Sequence, residues 1–309
     1  MRRIVNAFLS RLNWGKRACA VIVLCATTAI ALPAQNFTTL FNFDGTDGTN
    51  PKAGLVQATD GNLYGTTFVG GANGAGTVFK MTPSGNLTTL YNFCSQSGCT
   101  DGSYPDAGLV QATDGDFYGT TSVGGANNCV AYTGSAAGCG TVFKITPSGT
   151  LTTLYSFCSQ SGCSDGAIPF GGLLQATNGD LYGTTALGGA YVSGFNEGTV
   201  FKITPGGKLT TLYSFCAQTA CTGGDYFPEA GLVQATNGDL YGTTYDGGAN
   251  CTSTGGCGAV FKITPTGSLT TLYSFCSQAN CADGEYPQSG LVQATNGDLY
   301  GTTPYGGAN

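Results

Sequence analysis

The stretch GLVQATDGNLYGTT (54–67) returns nearly unchanged from Gly108, Gly172, Gly231 and Gly290, at intervals of 54, 64, 59 and 59 residues. Self-similarity at a near-constant spacing marks a repeat architecture, so the unit decides the fold. Each copy is split by a dipeptide: Asp60-Gly61, Asp114-Gly115, Asn178-Gly179, Asn237-Gly238 and Asn296-Gly297. Such pairs accept positive φ and close two-residue hairpins, which makes the flanking halves antiparallel neighbours. In four units two further pieces follow, of the form GTVFKITP and LTTLYSF. They turn at Pro83-Ser84-Gly85, Pro147-Ser148-Gly149, Pro205-Gly206-Gly207 and Pro265-Thr266-Gly267. Rich in Val, Ile, Thr, Tyr and Phe and bounded by turn residues, these pieces complete a four-stranded meander. No stretch beyond residue 34 shows helical periodicity.

Successive strand residues point to opposite faces. In VFKI, Val and Lys share one face while Phe and Ile share the other; in LTTLYSF, the first Leu, Tyr and Phe point one way and the inner Leu the other. Apolar residues on both faces require cover on both sides. Sheets stacked face to face around an axis provide it, which predicts an all-β protein, a β-propeller of about five four-stranded blades. A β-solenoid is the alternative, but it stacks near-identical coils, and insertions as variable as these suit it poorly. The segment NFTTLFNF (36–43) reads as a fourth strand without its first three, and the fifth unit has no GTVFKIT. The opening strand is therefore expected to complete the final sheet, in a last blade that is incomplete.

The wording of the unit, GLVQATDGNLYGTT followed by GG, GTVFKITPSGTLTTLYSF and the next copy, closely resembles the GloVer tandem repeat of exported bacterial proteins. The match covers nearly all of residues 36–309. The first hairpin also resembles the sensor-type propeller repeat, with Tyr where that repeat commonly has Trp. The resemblance implies secreted or surface proteins with varied C-terminal anchors and no established catalytic activity.

Residues 1–34 stand apart. MRRIVNAFLSRLNWGKR is basic, ACAVIVLCATTAIAL is apolar, and small residues follow, the layout of a secretory signal peptide. The apolar run is short for a membrane span, which takes about 20 residues. The repeat domain is then 35–309, secreted or at the cell surface, with no membrane span after cleavage. Five of eleven basic residues lie in the leader, leaving six lysines against seventeen acids, with no histidine in the chain. That balance excludes a nucleic-acid partner, which needs a basic footprint.

Twelve of the fourteen cysteines follow the leader, and in an exported chain an even number reads as disulfides. CSQSGCTDGSYP (94–105) recurs as CSQSGCSDGAIP (158–169), CAQTACTGGDYFP (216–228) and CSQANCADGEYP (276–287). Between blades the expected pairs are Cys94 with Cys99, Cys158 with Cys163, Cys216 with Cys221 and Cys276 with Cys281. Within blades they are Cys129 with Cys139 and Cys251 with Cys257. Zinc is the rival reading, but zinc sites often use histidine, which this chain lacks, and each clasp offers a single pair. In a four-stranded blade every one of these loops lies on one face of the ring.

The absence of histidine excludes Ser-His-Asp and Cys-His catalysis, and glycines placed in hairpin turns make no phosphate cradle. Acids recurring at one repeat position, Asp116, Asp180, Asp239 and Asp298, read as turn residues. The lysines of VFKIT (Lys80, Lys144, Lys202, Lys262) read as stems over apolar surface, and Tyr64, Tyr118, Tyr182, Tyr241 and Tyr300 as packing between sheets. Beside the clasps stand Asp101, Tyr104, Asp165, Asp225, Tyr226, Asp283, Glu285 and Tyr286. These are the candidate binding residues, acidic and aromatic, suited to sugars or cations. No cofactor is expected. Calcium stays open for the Asp-Gly loops, although one carboxylate per loop is thin against its six to eight oxygens. The reading is thus a binding or structural protein of the cell exterior, with a carbohydrate or a surface protein as partner. An extracellular carbohydrate-active enzyme using loop carboxylates is the alternative.

Overall fold

Four sheets of the computed structural model have the same composition. The first blade holds β1 (Val56–Gln57), β2 (Leu63–Thr67), β3 (Thr77–Met81) and β4 (Leu87–Asn92); the second β5 (Val110–Gln111), β6 (Phe117–Thr121), β7 (Thr141–Ile145) and β8 (Leu151–Ser156). The third has β9 (Leu174–Gln175), β10 (Leu181–Thr185), β11 (Thr199–Ile203) and β12 (Leu209–Ser214). A two-residue strand, β13 (Asp225–Tyr226), precedes the fourth blade and pairs with β16 (Asp246–Gly247). That blade is β14 (Val233–Gln234), β15 (Leu240–Thr244), β17 (Ala259–Ile263) and β18 (Leu269–Ser274); β19 (Val292–Gln293) and β20 (Leu299–Tyr300) form the fifth. Within each blade every ladder is antiparallel and the strands pair in chain order. The described residues are 37–129, 138–190, 198–215, 225–250 and 256–307, with backbone alone for Asp225 and Tyr226. Residues 41–309 form the unit considered below.

The blades face one another. Tyr64, Val78 and Phe93 of the first share a core with Phe117, Phe143 and Ile145 of the second. Tyr182, Val200 and Phe215 of the third share one with Leu240, Phe261 and Ile263 of the fourth. Phe93 meets Phe143 edge-on at 5.1 Å, as Phe157 meets Phe201 at 5.2 Å and Phe215 meets Phe261 at 5.5 Å. Each such ring, fully buried, contributes about 1.5–3 kcal/mol. Ladders confined to a repeat, with apolar cores between repeats, make this a β-propeller, and they exclude the solenoid, whose ladders join successive coils.

A glycine is needed at the centre of each second strand. Gly119 lies opposite Phe143 in the ladder, and a Cβ there would stand 2.6 Å from Cζ of that ring. Gly65, Gly183 and Gly242 repeat the relation with Phe79, Phe201 and Phe261. The aromatic ring covers the bare backbone of the neighbouring strand, and any side chain would displace it.

One expectation is corrected. The described part of NFTTLFNF carries no strand; Phe43 instead packs edge-on against Phe79 at 5.3 Å. Against the first blade it takes the place that Phe93 holds against Phe143. In the fifth blade β20 covers only Leu299–Tyr300, against five residues in the second strand of each full blade, because a third strand is needed to extend its ladder. The sequence also hides a bulge: Val78 pairs with Tyr91 but Phe79 with Thr89, leaving Leu90 unpaired, and the third-to-fourth ladder of every full blade shifts likewise. The freed Leu90 carbonyl would stand 2.8 Å from a Cβ on Gly149 of the next blade, where φ is +95°, so a turn glycine is required there.

Candidate binding site

The loops that join one blade to the next carry the clasps. Cys94 is bonded to Cys99, Cys158 to Cys163 and Cys276 to Cys281, and within the second blade Cys129 is bonded to Cys139. Cys216, Cys221 and Cys251 lie outside the described residues, and with them two of the expected pairs. Each clasp closes on a cysteine in the left-handed region, with φ of +53° at Cys99, +52° at Cys163 and +51° at Cys281. Alternation along a strand gives no hint of that turn.

In the first clasp Asp101 is fully buried and accepts bonds from Tyr91 Oη (2.8 Å), Ser95 N (2.9 Å), Ser95 Oγ (3.0 Å) and Gln96 N (3.2 Å). Asp165, also fully buried, repeats all four bonds with Tyr155, Ser159 and Gln160. Asp283 does so, half-buried, with Tyr273, Ser277 and Gln278. These carboxylates hold their own loops together and face inward. Burial first, and the neighbouring Asp165 after it, push the Tyr155 phenol up to about 12.

Beyond the clasp each loop crosses from the outer strand of one blade to the innermost strand of the next. It is pinned on both sides: Ser103 bridges Val123 of the blade it enters, while Tyr104 N donates to Ala75 O of the blade it leaves, at 2.8 Å. Ile168 and Tyr286 make the equivalent bonds to Cys139 O and Cys257 O. Just after the loop proline stand Lys52, Asp106, Phe170, Glu229 and Gln288, one for each blade. The chain then enters its innermost strand at the axis. There the backbones nearly touch, since a Cβ on Gly231 would lie 2.9 Å from Gly172 O and one on Gly290 would lie 3.3 Å from Gly231 O.

Around this axial region the side chains form two groups. Tyr104 lies 5.3 Å from Phe68, and Lys52 Nζ sits 3.2 Å above the Phe68 ring while pairing with Asp106. The other Asp106 oxygen is buried with no hydrogen-bond partner among the described residues. Burial, then the charges of Asp246 and Asp106, hold the Glu229 carboxyl above its ordinary range, and Gln288 bonds to it. Asp106 belongs to the second blade and Glu229 to the fourth, so the two act on one another past the third, as groups facing a shared axis do. Burial also raises Asp246. Tyr245 lies 5.0 Å from Tyr286 with the rings tilted by 33°, and Tyr286 meets Tyr305 at 6.1 Å. Carboxyls, an ammonium, an amide and five aromatic rings thus gather in two groups near the axis, and the charge of Asp106 in the first acts on Glu229 in the second.

Of the residues singled out in the sequence, Tyr104 and Tyr286 lie in these groups. Asp101, Asp165 and Asp283 do not, and neither do the clasp cysteines Cys99 and Cys163, which are bonded within their own loops. Glu285 stands nearby but turns toward Cys257 and Cys276. The backbone of Asp225 and Tyr226 pairs with 246–247, and their side chains are not described. A cavity of about 400 Å³ lies apart, between Gln160 and Ser164 of the second clasp and Thr211–Ser214 of the third blade; among the described residues no charged side chain lines it.

Kinship follows from the repeat. The Gloeobacter/Verrucomicrobia repeat matches residues 27–129 and 129–309. The chain belongs to that family. No curated protein matches it. Among solved structures it is similar to a putative gluconolactonase, at 15% identity and TM-score 0.45 over 81% of this chain and 70% of that one. It is similar to an endo-arabinase from Bacteroides thetaiotaomicron at 14% and 0.42, over 86% and 91%. A family 43 arabinoxylan arabinofuranohydrolase from Bacillus subtilis, solved with cellotetraose, is similar at 14% and 0.43, over 88% and 71%. Likenesses at this level carry nothing about a ligand.

Within this Gloeobacter/Verrucomicrobia repeat protein the residues of the two axial groups share one property. Where the copies agree nearly letter for letter elsewhere, the residue after the proline changes from Lys to Asp, Phe, Glu and Gln. The two positions after GTT change as freely, through Phe68-Val69, Ser122-Val123, Ala186-Leu187, Tyr245-Asp246 and Pro304-Tyr305. Repetition marks what builds a blade. Variation among copies marks what each blade contributes separately.

Proposed function

We propose that this protein is an exported propeller that binds a carbohydrate at the axial mouth of its clasp face. The observation that supports the reading is the acid–aromatic set Tyr104, Phe68, Lys52, Asp106, Glu229, Asp246, Tyr245 and Tyr286, drawn from four inter-blade entries and from the positions after two second strands. Aromatic faces stack on the apolar faces of sugar rings, and carboxyls and amides bond their hydroxyls. Paired cysteines and the leader-like residues 1–34 support export to an oxidising location. Among the described residues no helix is long and apolar enough to cross a membrane.

A second reading, hydrolysis of a glycoside, rests on one specific observation. Glu229, held above the usual carboxyl range beside two further acids, has the character of a general acid, and Asp106 would be the partner carboxylate. Screening soluble oligosaccharides by calorimetry with wild type and Glu229→Gln separates the readings. Binding retained by Glu229→Gln, with no reducing sugar released by wild type, fits the binding module. Release by wild type that Glu229→Gln abolishes fits the enzyme. Neither binding nor release across plant, bacterial and algal glycans removes carbohydrate from the account.

A further inference from the structure

Two disulfides of the second blade lie against each other. Cys129 and Cys139 are bonded within the blade and fully buried. Cys158 and Cys163, bonded in the clasp that follows, are half-buried and enclose the exposed residues 159–162. The Sγ atoms of Cys129, Cys139 and Cys158 all lie within 4.8 Å of one another. One sulfur of the clasp therefore stands next to both sulfurs of the inner bridge.

The backbone imposes this meeting. Phe157 N donates to Gly140 O at 3.0 Å, which sets Cys158, the next residue, beside Cys139, the residue before the glycine. Phe93 N and Phe275 N repeat the bond to Gly76 O and Gly258 O at 3.0 Å. The residue before that glycine differs among the copies: Ala75, Cys139, Glu197 and Cys257. In the fourth blade the Cys257 sulfur accordingly lies within 4.8 Å of those of Cys276 and Cys281. In the first, Cys94 packs against a core that has Ala75 at that place. A bridge that only closed its own loop would serve as well from other loop positions, yet both copies with a cysteine here put it beside the clasp.

We propose that the clasp and the inner bridge form a thiol–disulfide relay, through which a soluble dithiol reduces the buried Cys129–Cys139 pair. Exchange proceeds by attack of a thiolate on a disulfide sulfur and is limited by access. The dithiol therefore reacts at the clasp: its first sulfur bonds Cys163 and expels the Cys158 thiolate, and its second sulfur closes on the first and expels the Cys163 thiolate. Cys158 then attacks Cys139, forming a Cys139–Cys158 bridge and expelling the Cys129 thiolate. Cys163 attacks Cys158 in turn, which restores the clasp and expels the Cys139 thiolate. Two electrons have passed from the dithiol, now a disulfide, to the inner pair, and two protons follow onto Cys129 and Cys139. This inference is independent of the carbohydrate reading.

The test is timed reduction of the intact, folded chain by dithiothreitol, with alkylation and peptide mapping. Cleavage after lysine leaves Cys129 and Cys139 in peptide 81–144 and Cys158 and Cys163 in peptide 145–202, so the relay intermediate joins two peptides that neither native bridge joins. Cys158→Ser combined with Cys163→Ser is expected to slow reduction of Cys129–Cys139 by roughly tenfold or more. Cys163→Ser alone, which cannot restore the clasp, is expected to accumulate the joined peptides. Cys99→Ser, the matched change beside Ala75, is expected to leave Cys94 a free thiol. Wild type quenched early in the reduction should hold the same joined pair, a measurement that needs no variant to fold. Unchanged reduction of the inner bridge in the double variant overturns the proposal. So does the absence of joined peptides from both Cys163→Ser and quenched wild type, or capture of Cys94 in Cys99→Ser to the same extent as Cys158 in Cys163→Ser.

Discussion

Removing the Asp165 carboxylate tests the account of the clasps. Asp165→Ala leaves four donors, Tyr155 Oη, Ser159 N and Oγ, and Gln160 N, around an emptied and fully buried position. An unmet buried donor costs about 1–3 kcal/mol, and the charged acceptor makes the lost bonds stronger than neutral ones. The losses are not additive, because Ser159 carries two of them and the loop can relax toward water. A total near 3–4 kcal/mol is reasonable on that basis, and at about 2–4 °C per kcal/mol for a domain of this size the melting temperature falls by roughly 6–16 °C. Asp283→Ala is the matched comparison, with the same four bonds at 2.6–3.2 Å but a half-buried, wetter setting. Differential scanning calorimetry on both variants, with the bridges oxidised, should give a loss for Asp165→Ala at least twice that for Asp283→Ala. Equal losses, or a change below about 1 kcal/mol for Asp165→Ala, would refute the view that the carboxylate organises the loop from inside.

Three further outcomes follow from the same geometry. Glu229→Gln should raise the melting temperature at pH 7 by a few degrees, because the raised carboxyl favours its protonated form. Its stabilising effect is complete below the ordinary Glu pKa and lost as pH rises through the native value, so the variant's advantage should vanish near pH 3; an advantage unchanged there counts against the assignment. Tyr155, pushed up to about 12, should make the native state lose stability between about pH 10 and 12, seen as a phenolate absorbance step coincident with loss of circular dichroism; Tyr155→Phe should shift that step, and an unmoved step argues otherwise. Gly119→Ala puts a methyl 2.6 Å from the Phe143 ring and should cost about 1–3 kcal/mol, whereas the same change at Gly54, with nothing within 4 Å, should leave denaturant midpoints nearly unmoved.

The repeat made the blades readable. Asn-Gly and Pro-Ser-Gly turns fixed strand order and antiparallel sense, and apolar residues on both faces of VFKI called for stacked sheets. The bulge at Leu90 was hidden because strand alternation assumes an uninterrupted period of two, and the residue that breaks it is an ordinary leucine. The inward turn of the clasp acids was hidden for a different reason. Asp101 and Asp165 recur in one loop position beside turn residues, and recurrence in a repeat protein signals construction rather than contact with a partner. Cys99 and Cys163 recur in the same way, and they too build the loop. Asp106 and Glu229 escaped notice because neither belongs to any motif, and only the topology brings the second blade's residue within reach of the fourth's. Their trace in the sequence was the disagreement among copies after each loop proline.

Hydrogen exchange of the intact chain with and without the tightest oligosaccharide from the glycan screen locates the ligand directly. The account predicts protection at residues 103–107, 226–230, 245–248 and 285–289, where the loops enter the axial mouth, and loss of that protection in Tyr245→Ala. Protection confined to the opposite face, at the hairpin turns 60–61, 114–115 and 178–179, would contradict it.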